Sequence, residues 1–345
     1  MFGNKKNSDS RRTPRLDGTY NVPRYREYQS PRMRRLMRDE ERQKRVRISR
    51  NYGLLLVVAI VASTIITGVA GGNAVIQMQK ADTIKKQHAP TTLISEGLQN
   101  EINRLSAQDN LPGELDSSLQ PNGAQVAVSL IDLSDKNRGE VHFNDQTQWT
   151  SASTYKLFVA LDMSKAVESG RLNWNSPLNG DTMGGCLSQM IHVSDNGCPE
   201  TWLATYSDYE KLTQTAKNFG SKQTDFNYGN MTTSAGDLAN LLKKLYQGEL
   251  MNSDDTKNLM DLLEHQQYQD GIPDGIQNNI NAGKTPQGTL VADKVGFVDD
   301  YTGPILNDAS IVSSPNGAYV LVVMANGYSW QFISQLTSWI DAQME

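Results

Sequence analysis

In the stretch "SASTYKLFVALD", which begins at Ser151, Ser153 precedes Lys156 by three residues, and an apolar run follows from Leu157 to Leu161. Residues three apart share one face of a helix. A serine hydroxyl attacks a carbonyl poorly until a base takes its proton. A lysine can be that base when desolvation or a neighbouring cation lowers its pKa. The positive end of the helix adds to the field at the serine. Taken alone, the pair reads more readily as a helix cap beside a surface lysine, because Ser-x-x-Lys is a short pattern. Two further groups follow it in order: Ser194, Asp195 and Asn196 in "HVSDNGCPET", then Lys294, Val295 and Gly296 in the strand-like "ADKVGFVDD".

The elements that must position these groups are legible in outline. Ile94, Leu98, Ile102 and Leu105 repeat at helical spacing. "AQVAVSLIDL" from Ala124 and "GEVHFND" from Gly139 read as a hairpin of two strands. Residues 180–265 read mostly as helices. Three strand-like runs close the chain ("TLVADKVGF", "DASIVSS" and "AYVLVVMAN"), followed by an amphipathic helix carrying Phe332, Leu336 and Ile340. Strands grouped at both ends around a helical centre exclude the alternation of a parallel sheet. The expected fold is α+β: an antiparallel sheet of about five strands flanked by helices, with an inserted all-helical lobe.

Serine-x-x-lysine, Ser-Asp-Asn and Lys-x-Gly, in that order, resemble the class A β-lactamases and their penicillin-binding relatives. The resemblance covers roughly residues 93–345. It implies a hydrolase in which Ser153 attacks a lactam or amide carbonyl and Lys156 accepts its proton. Ser194, helped by Lys294, would pass a proton to the leaving nitrogen. Asn196 would hold the substrate's side-chain amide, and Asp195 would bond backbone near its turn. The backbone N–H groups of Ser153 and Phe297 would form an oxyanion hole, and Gly296 would let substrate approach the strand edge. The implied substrates are a β-lactam or a peptidoglycan stem peptide ending in D-Ala-D-Ala. The alternatives to a β-lactamase are a penicillin-binding carboxypeptidase and a non-catalytic wall-binding module.

Three departures from the family pattern stand out. Val295 occupies the place of a Thr or Ser whose hydroxyl meets the substrate carboxylate. The stretch between Gly220 and Met231 is short and has no glutamate to activate a hydrolytic water; Asp225 is its one carboxylate. The spacing from Ser153 to Ser194 is also short. Acylation is therefore expected to proceed and the ester to persist, with slow steady hydrolysis after a stoichiometric burst. Asp308 is a further candidate for the cleft, or for a turn, before a strand. Cys186 and Cys198 flank the second motif; they form either a disulfide or two buried thiols. The four histidines are scattered without metal-ligand spacing, and no metal or cofactor is expected. "GKT" at Gly283 reads as a turn.

Charge divides the chain. Residues 1–51 carry 16 Lys/Arg against 6 Asp/Glu, so the remainder holds 17 basic and 32 acidic residues of the 33 and 38 in the whole. The tail has few aliphatics and reads as mostly disordered. It shows no base-reading motif, so no nucleic-acid partner is expected. Residues 52–72, beginning "YGLLLVVAIV", carry no charge and are long enough to span a bilayer. A buried core helix and a cleaved signal peptide are the rival readings, opposed by the dense basic flank and by the long preceding segment. The expected organisation is a cytoplasmic tail (1–51), a membrane anchor (52–72), a linker (73–91) and an extracytoplasmic hydrolase domain (92–345). Protease added to intact cells is then expected to digest the C-terminal domain. Protection of that domain would reverse the topology.

Overall fold

The computed structural model describes residues 90–109, 126–136, 138–300 and 303–345. The basic tail and the apolar run at 52–72 lie outside the described residues. Among the described residues no helix is long and apolar enough to cross a membrane.

Helix α1 (Pro90–Ser106) places Ile94, Leu98, Ile102 and Leu105 inward, as their spacing requires. Strands β1 (Val126–Asp132) and β2 (Glu140–Phe143) form the first antiparallel pair. The chain closes with β8 (Leu290–Asp300), β9 (Gly303–Ser314), β10 (Gly317–Asn326) and helix α9 (Trp330–Met344). These strands build one antiparallel sheet in the order β2-β1-β10-β9-β8. The last strand thus returns beside the first, and β8 becomes an edge. Residues from α1, the sheet and α9 share one core that includes Leu130, Leu321, Val323, Phe332, Leu336 and Ile340.

Between β2 and β8 lies the helical lobe. A two-residue strand β3 (Trp149–Thr150) and a 3₁₀ turn (Ala152–Tyr155) lead into helix α2 (Lys156–Glu168). Helix α2 is buried along most of its length and has no strongly polar side, as a helix surrounded by its neighbours should be. Short strands β4 (Pro177–Leu178) and β5 (Asp181–Thr182) precede α3 (Met183–His192), α4 (Gly197–Thr205) and α5 (Tyr209–Asn218). Inside the lobe, Trp202 Nε1 donates to Asp162 at 2.8 Å and Ser164 Oγ to Asp255 at 2.8 Å.

The helical centre is less uniform than the sequence suggests. Strands β6 (Asp225–Asn227) and β7 (Asn230–Thr233) interrupt it and pair with β3 in a separate three-stranded sheet. Helices α6 (Ala235–Gln247) and α7 (Ser253–Glu264) follow, capped by Ser234 and Asn252. Helix α8 (Ile272–Asn281) was not apparent from periodicity. It is short, rich in Asn and carries Gly275; the backbone can pack there because a Cβ at 275 would lie 2.4 Å from the Ser334 carbonyl of α9. Gly283, with φ of +70°, sits in the turn after α8.

One contact fixes the short loop beside the 3₁₀ turn. The Asp237 carboxylate, in the first turn of α6, accepts from Lys222 N at 3.0 Å, Gln223 N at 2.7 Å and Thr224 Oγ1 at 2.8 Å. Removing it orphans several donors at about 1–3 kcal/mol each. Asp237→Ala is expected to lower stability by about 2–4 kcal/mol, read from the midpoint of denaturant unfolding. A change below about 0.5 kcal/mol would show that water replaces the carboxylate freely.

Candidate active site

Ser153 lies in the 3₁₀ turn and Lys156 is the first residue of α2. Three elements hold that turn. Asn307 of β9 donates through Nδ2 to the carbonyls of Thr150 (2.9 Å) and Ser151 (3.0 Å). Ser151 N donates to the Met231 carbonyl of β7 at 2.8 Å. Gly296 of β8 passes so close that a Cβ would lie 2.8 Å from Ser151 O, Ser153 N and Thr154 N, which only glycine allows. Ala152, just before the serine, has φ of +43°, and Ser194 has φ of +58°. Both are conformations that cost a non-glycine residue energy and persist only where the surroundings enforce them.

Lys156 Nζ is the centre of the site. It reaches Ser153 Oγ at 3.0 Å, Ser194 O at 2.6 Å, Ser194 Oγ at 3.1 Å and Asn196 Oδ1 at 2.7 Å. Two of these partners are carbonyl oxygens, which can only accept. A neutral amine gives its two N–H bonds to them and keeps one lone pair, which faces the serine hydroxyls. Burial pulls the Lys156 pKa down to about 8, against the opposing pull of the Asp195 and Glu200 charges. A pKa so close to neutrality leaves a substantial free-amine fraction.

Lys294 of β8 is buried, with Nζ 3.0 Å from Ser194 Oγ and 2.9 Å from the Val295 carbonyl. Its pKa falls to about 7, first through burial and then through the charge of Lys156, while Asp293 and Asp308 act the other way. Ser194 Oγ lies 3.1 Å from Lys156 Nζ and 3.0 Å from Lys294 Nζ; it accepts from Lys294, and its own proton faces the Lys156 lone pair.

The loop holding Ser194 and Asn196 is braced from below. A disulfide joins Cys186 of α3 to Cys198 of α4. Between them, the Asp195 carboxylate accepts from the backbone N–H of Gly197 (3.2 Å) and Cys198 (3.3 Å).

Thus the structure brings Ser153, Lys156, Ser194, Asn196, Lys294 and Gly296 to one cleft between the sheet edge and the helical lobe. The side chains of the other sequence candidates point elsewhere. Along β8, side chains alternate, so Val295 and Phe297 face away from Lys294 and Gly296. Val295 is buried at 1% exposure, so the missing hydroxyl at that position is a core substitution here, not a gap in the cleft. The Phe297 ring stacks edge-on against Tyr268 and Trp330. Asp308 lies inside β9, not before a strand, and fully buried: it is in register with Val295, on the face opposite Lys294. Its carboxylate accepts from Ile272 N at 2.7 Å and Ser310 Oγ at 3.0 Å, and burial pushes its pKa up to about 6. Asp225 bonds Asn227 Nδ2 at 3.1 Å. It projects to the opposite side of β6 from Phe226, which packs on Phe158 and Tyr155. Among the described residues no cluster of His, Cys, Asp or Glu could hold a metal.

Sequence reasoning missed one residue that holds the site: Asn307 had no motif to mark it.

With this geometry in place, comparison with known proteins is decisive. Residues 110–338 match the model of the beta-lactamase enzyme family. The chain belongs to that family. No curated protein sequence matches it. Among solved structures, PBP-A is similar at 21% identity and a TM-score of 0.57, over 71% of this chain and 96% of that one. A PBP-A variant captured as an acyl-enzyme with penicillin G is similar at 22% identity, with the same coverage and TM-score. An extended-spectrum β-lactamase (17% identity, TM-score 0.57, 72% and 100% coverage) and a β-lactamase from Sphaerobacter thermophilus (14%, 0.57, 70% and 94%) share the fold. The family and its fold are those of a serine hydrolase with an α+β architecture.

The free amine of Lys156 is the form able to take a proton. Acylation of Ser153 by a reactive carbonyl is expected to rise about tenfold per pH unit below about 8 and to level off above it. At pH 6 the rate should be about a hundredfold below the plateau. A rate constant independent of pH between 6 and 8, by stopped-flow or quenched mass spectrometry, would exclude the free amine as the base.

Proposed function

We propose that this β-lactamase-family hydrolase opens β-lactam amide bonds through an ester on Ser153. The observation that carries this reading is the Lys156 amine, buried and in contact with Ser153, Ser194 and Asn196 together. In this reading the Lys156 amine takes the Ser153 proton as Oγ attacks the lactam carbonyl. The C–N bond breaks, and the nitrogen receives the Ser194 proton. Ser194 in turn is resupplied from Lys156 or Lys294. The N–H groups of Ser153 and Phe297 serve as donors to the oxyanion, and Asn196 holds the substrate's amide.

Breakdown of the ester is the slow step, because the loop between Gly220 and Met231 offers no glutamate. The same shortness favours a second reading, a carboxypeptidase acting on D-Ala-D-Ala stems; similarity to PBP-A supports it at the level of fold. In both readings the uncharged run at 52–72 anchors the protein with the hydrolase domain outside the cytoplasm.

Intact-mass spectrometry of the full chain mixed with penicillin G tests the common step. A single adduct of penicillin mass is expected, absent in Ser153→Ala and formed at least about a hundredfold more slowly in Lys156→Ala. An adduct that survives Ser153→Ala would refute the assignment. Release of D-alanine from a stem-peptide analogue faster than penicillin hydrolysis would favour the second reading.

A further inference from the structure

Among the described residues the Ser153 N–H makes no hydrogen bond. In a 3₁₀ turn its acceptor would be the carbonyl three residues back, that of Thr150. Asn307 Nδ2 takes that carbonyl instead, at 2.9 Å, and also reaches the next one, Ser151 O, at 3.0 Å. The Ser151 carbonyl is tied further by Thr154, through N at 3.1 Å and Oγ1 at 2.6 Å. Between these anchored carbonyls and the serine stands Ala152, with φ of +43°. A non-glycine residue keeps that conformation only where its surroundings impose it.

Asn307 is fully buried, and among the described residues its own acceptor, Oδ1, has no partner. An unpaired buried acceptor costs stability. An apolar side chain of similar size would avoid that cost, so packing does not account for an asparagine here. Turned over, the amide would aim Oδ1 at two carbonyl oxygens; only the donor orientation fits. Asn307 is also the cross-strand partner of Gly296. Gly296 leaves room for the turn, since a Cβ there would lie 2.8 Å from Ser153 N. Asn307 ties the turn into that room.

We propose that Asn307 is a positioning residue that holds the nucleophile turn so that the Ser153 N–H stays unpaired and serves as an oxyanion donor. This rests on the acyl-enzyme reading above. Asn307 bonds only to backbone carbonyls and moves no proton. Its effect falls on the attack of Ser153 Oγ, when negative charge builds on the substrate's carbonyl oxygen. Initial binding, when that oxygen is still neutral, is affected far less. Lys156 keeps its contacts with Ser153, Ser194 and Asn196, none of which involves Asn307.

Stopped-flow and quenched intact-mass measurements on the full chain separate the non-covalent binding constant for penicillin G from the first-order rate of ester formation. Asn307→Leu keeps most of the volume, removes both donors and leaves no unpaired acceptor. It is expected to slow ester formation about 10²–10³-fold, the loss that follows removal of one oxyanion donor. The binding constant is expected to stay within about threefold, and the break in the pH profile to stay at about 8. Asn307→Ala is expected to behave in the same way. Tyr319→Phe breaks a buried bond to Asp341 (2.6 Å), toward the opposite end of β10 from Met324, the cross-strand partner of Asn307. It controls for lost stability and is expected to leave the rate unchanged in the folded chain. A rate within about threefold of the parent in folded Asn307→Leu or Asn307→Ala, or a displaced pH break, would overturn the proposal. Failure of both variants to fold would assign the contact to stability and overturn it as well. If no ester forms in the parent, it is the acyl-enzyme reading that fails.

Discussion

A lysine taken out of water must be surrounded by acceptors, and the cleft is organised around that requirement. Lys156 is fully buried, and its nitrogen meets oxygens from the 3₁₀ turn and from the loop between α3 and α4. An unpaired buried ammonium would be strongly destabilising. The two segments are therefore held in register by the same contacts that tune the lysine. Because desolvation outweighs the opposing acidic charges, its pKa settles near neutrality. A single arrangement thus supplies both the fold's polar satisfaction and the chemistry's base.

The second lysine extends the same logic across the lobes. Lys294 projects from the sheet edge, and both lysines meet Ser194 Oγ. Two cations sharing one hydroxyl repel each other, which helps to lower the pKa of Lys294. Beneath β8, Asp293 and Asp308 are buried as well, and burial together with the Asp308 charge raises the pKa of Asp293. The strand therefore carries Lys294 on its cleft face and Asp293 on the other, where Asp308 of β9 also lies.

Much of this was legible in the sequence. The helical repeat of Ile94, Leu98, Ile102 and Leu105 and the apolar runs of the closing strands gave the five-stranded sheet, because burial imposes periodicity. The three short motifs gave most of the cleft, because each places its polar groups through local geometry. What escaped was set by tertiary contact. The hairpin β6–β7 is seven residues of strand within a helical context. Asn307 grips the nucleophile turn from a strand 156 positions away in sequence from Ser151. Asp308 was misplaced because its neighbour Asn307 faces the cleft and a pleated strand turns successive side chains to opposite sides. The departure at Val295 likewise changed meaning once alternation put its side chain in the core.

The clamp on the nucleophile turn also sets a timetable. Ser153 and Lys156 leave the ribosome well before Lys294 and Asn307, the residues that complete their surroundings. At about 5–20 residues per second, the delay is on the order of ten seconds. During that interval Lys156 is solvated and ordinarily protonated, and the serine is an ordinary hydroxyl. The nascent chain therefore emerges chemically silent, and its reactivity begins only when the last strands close over the turn.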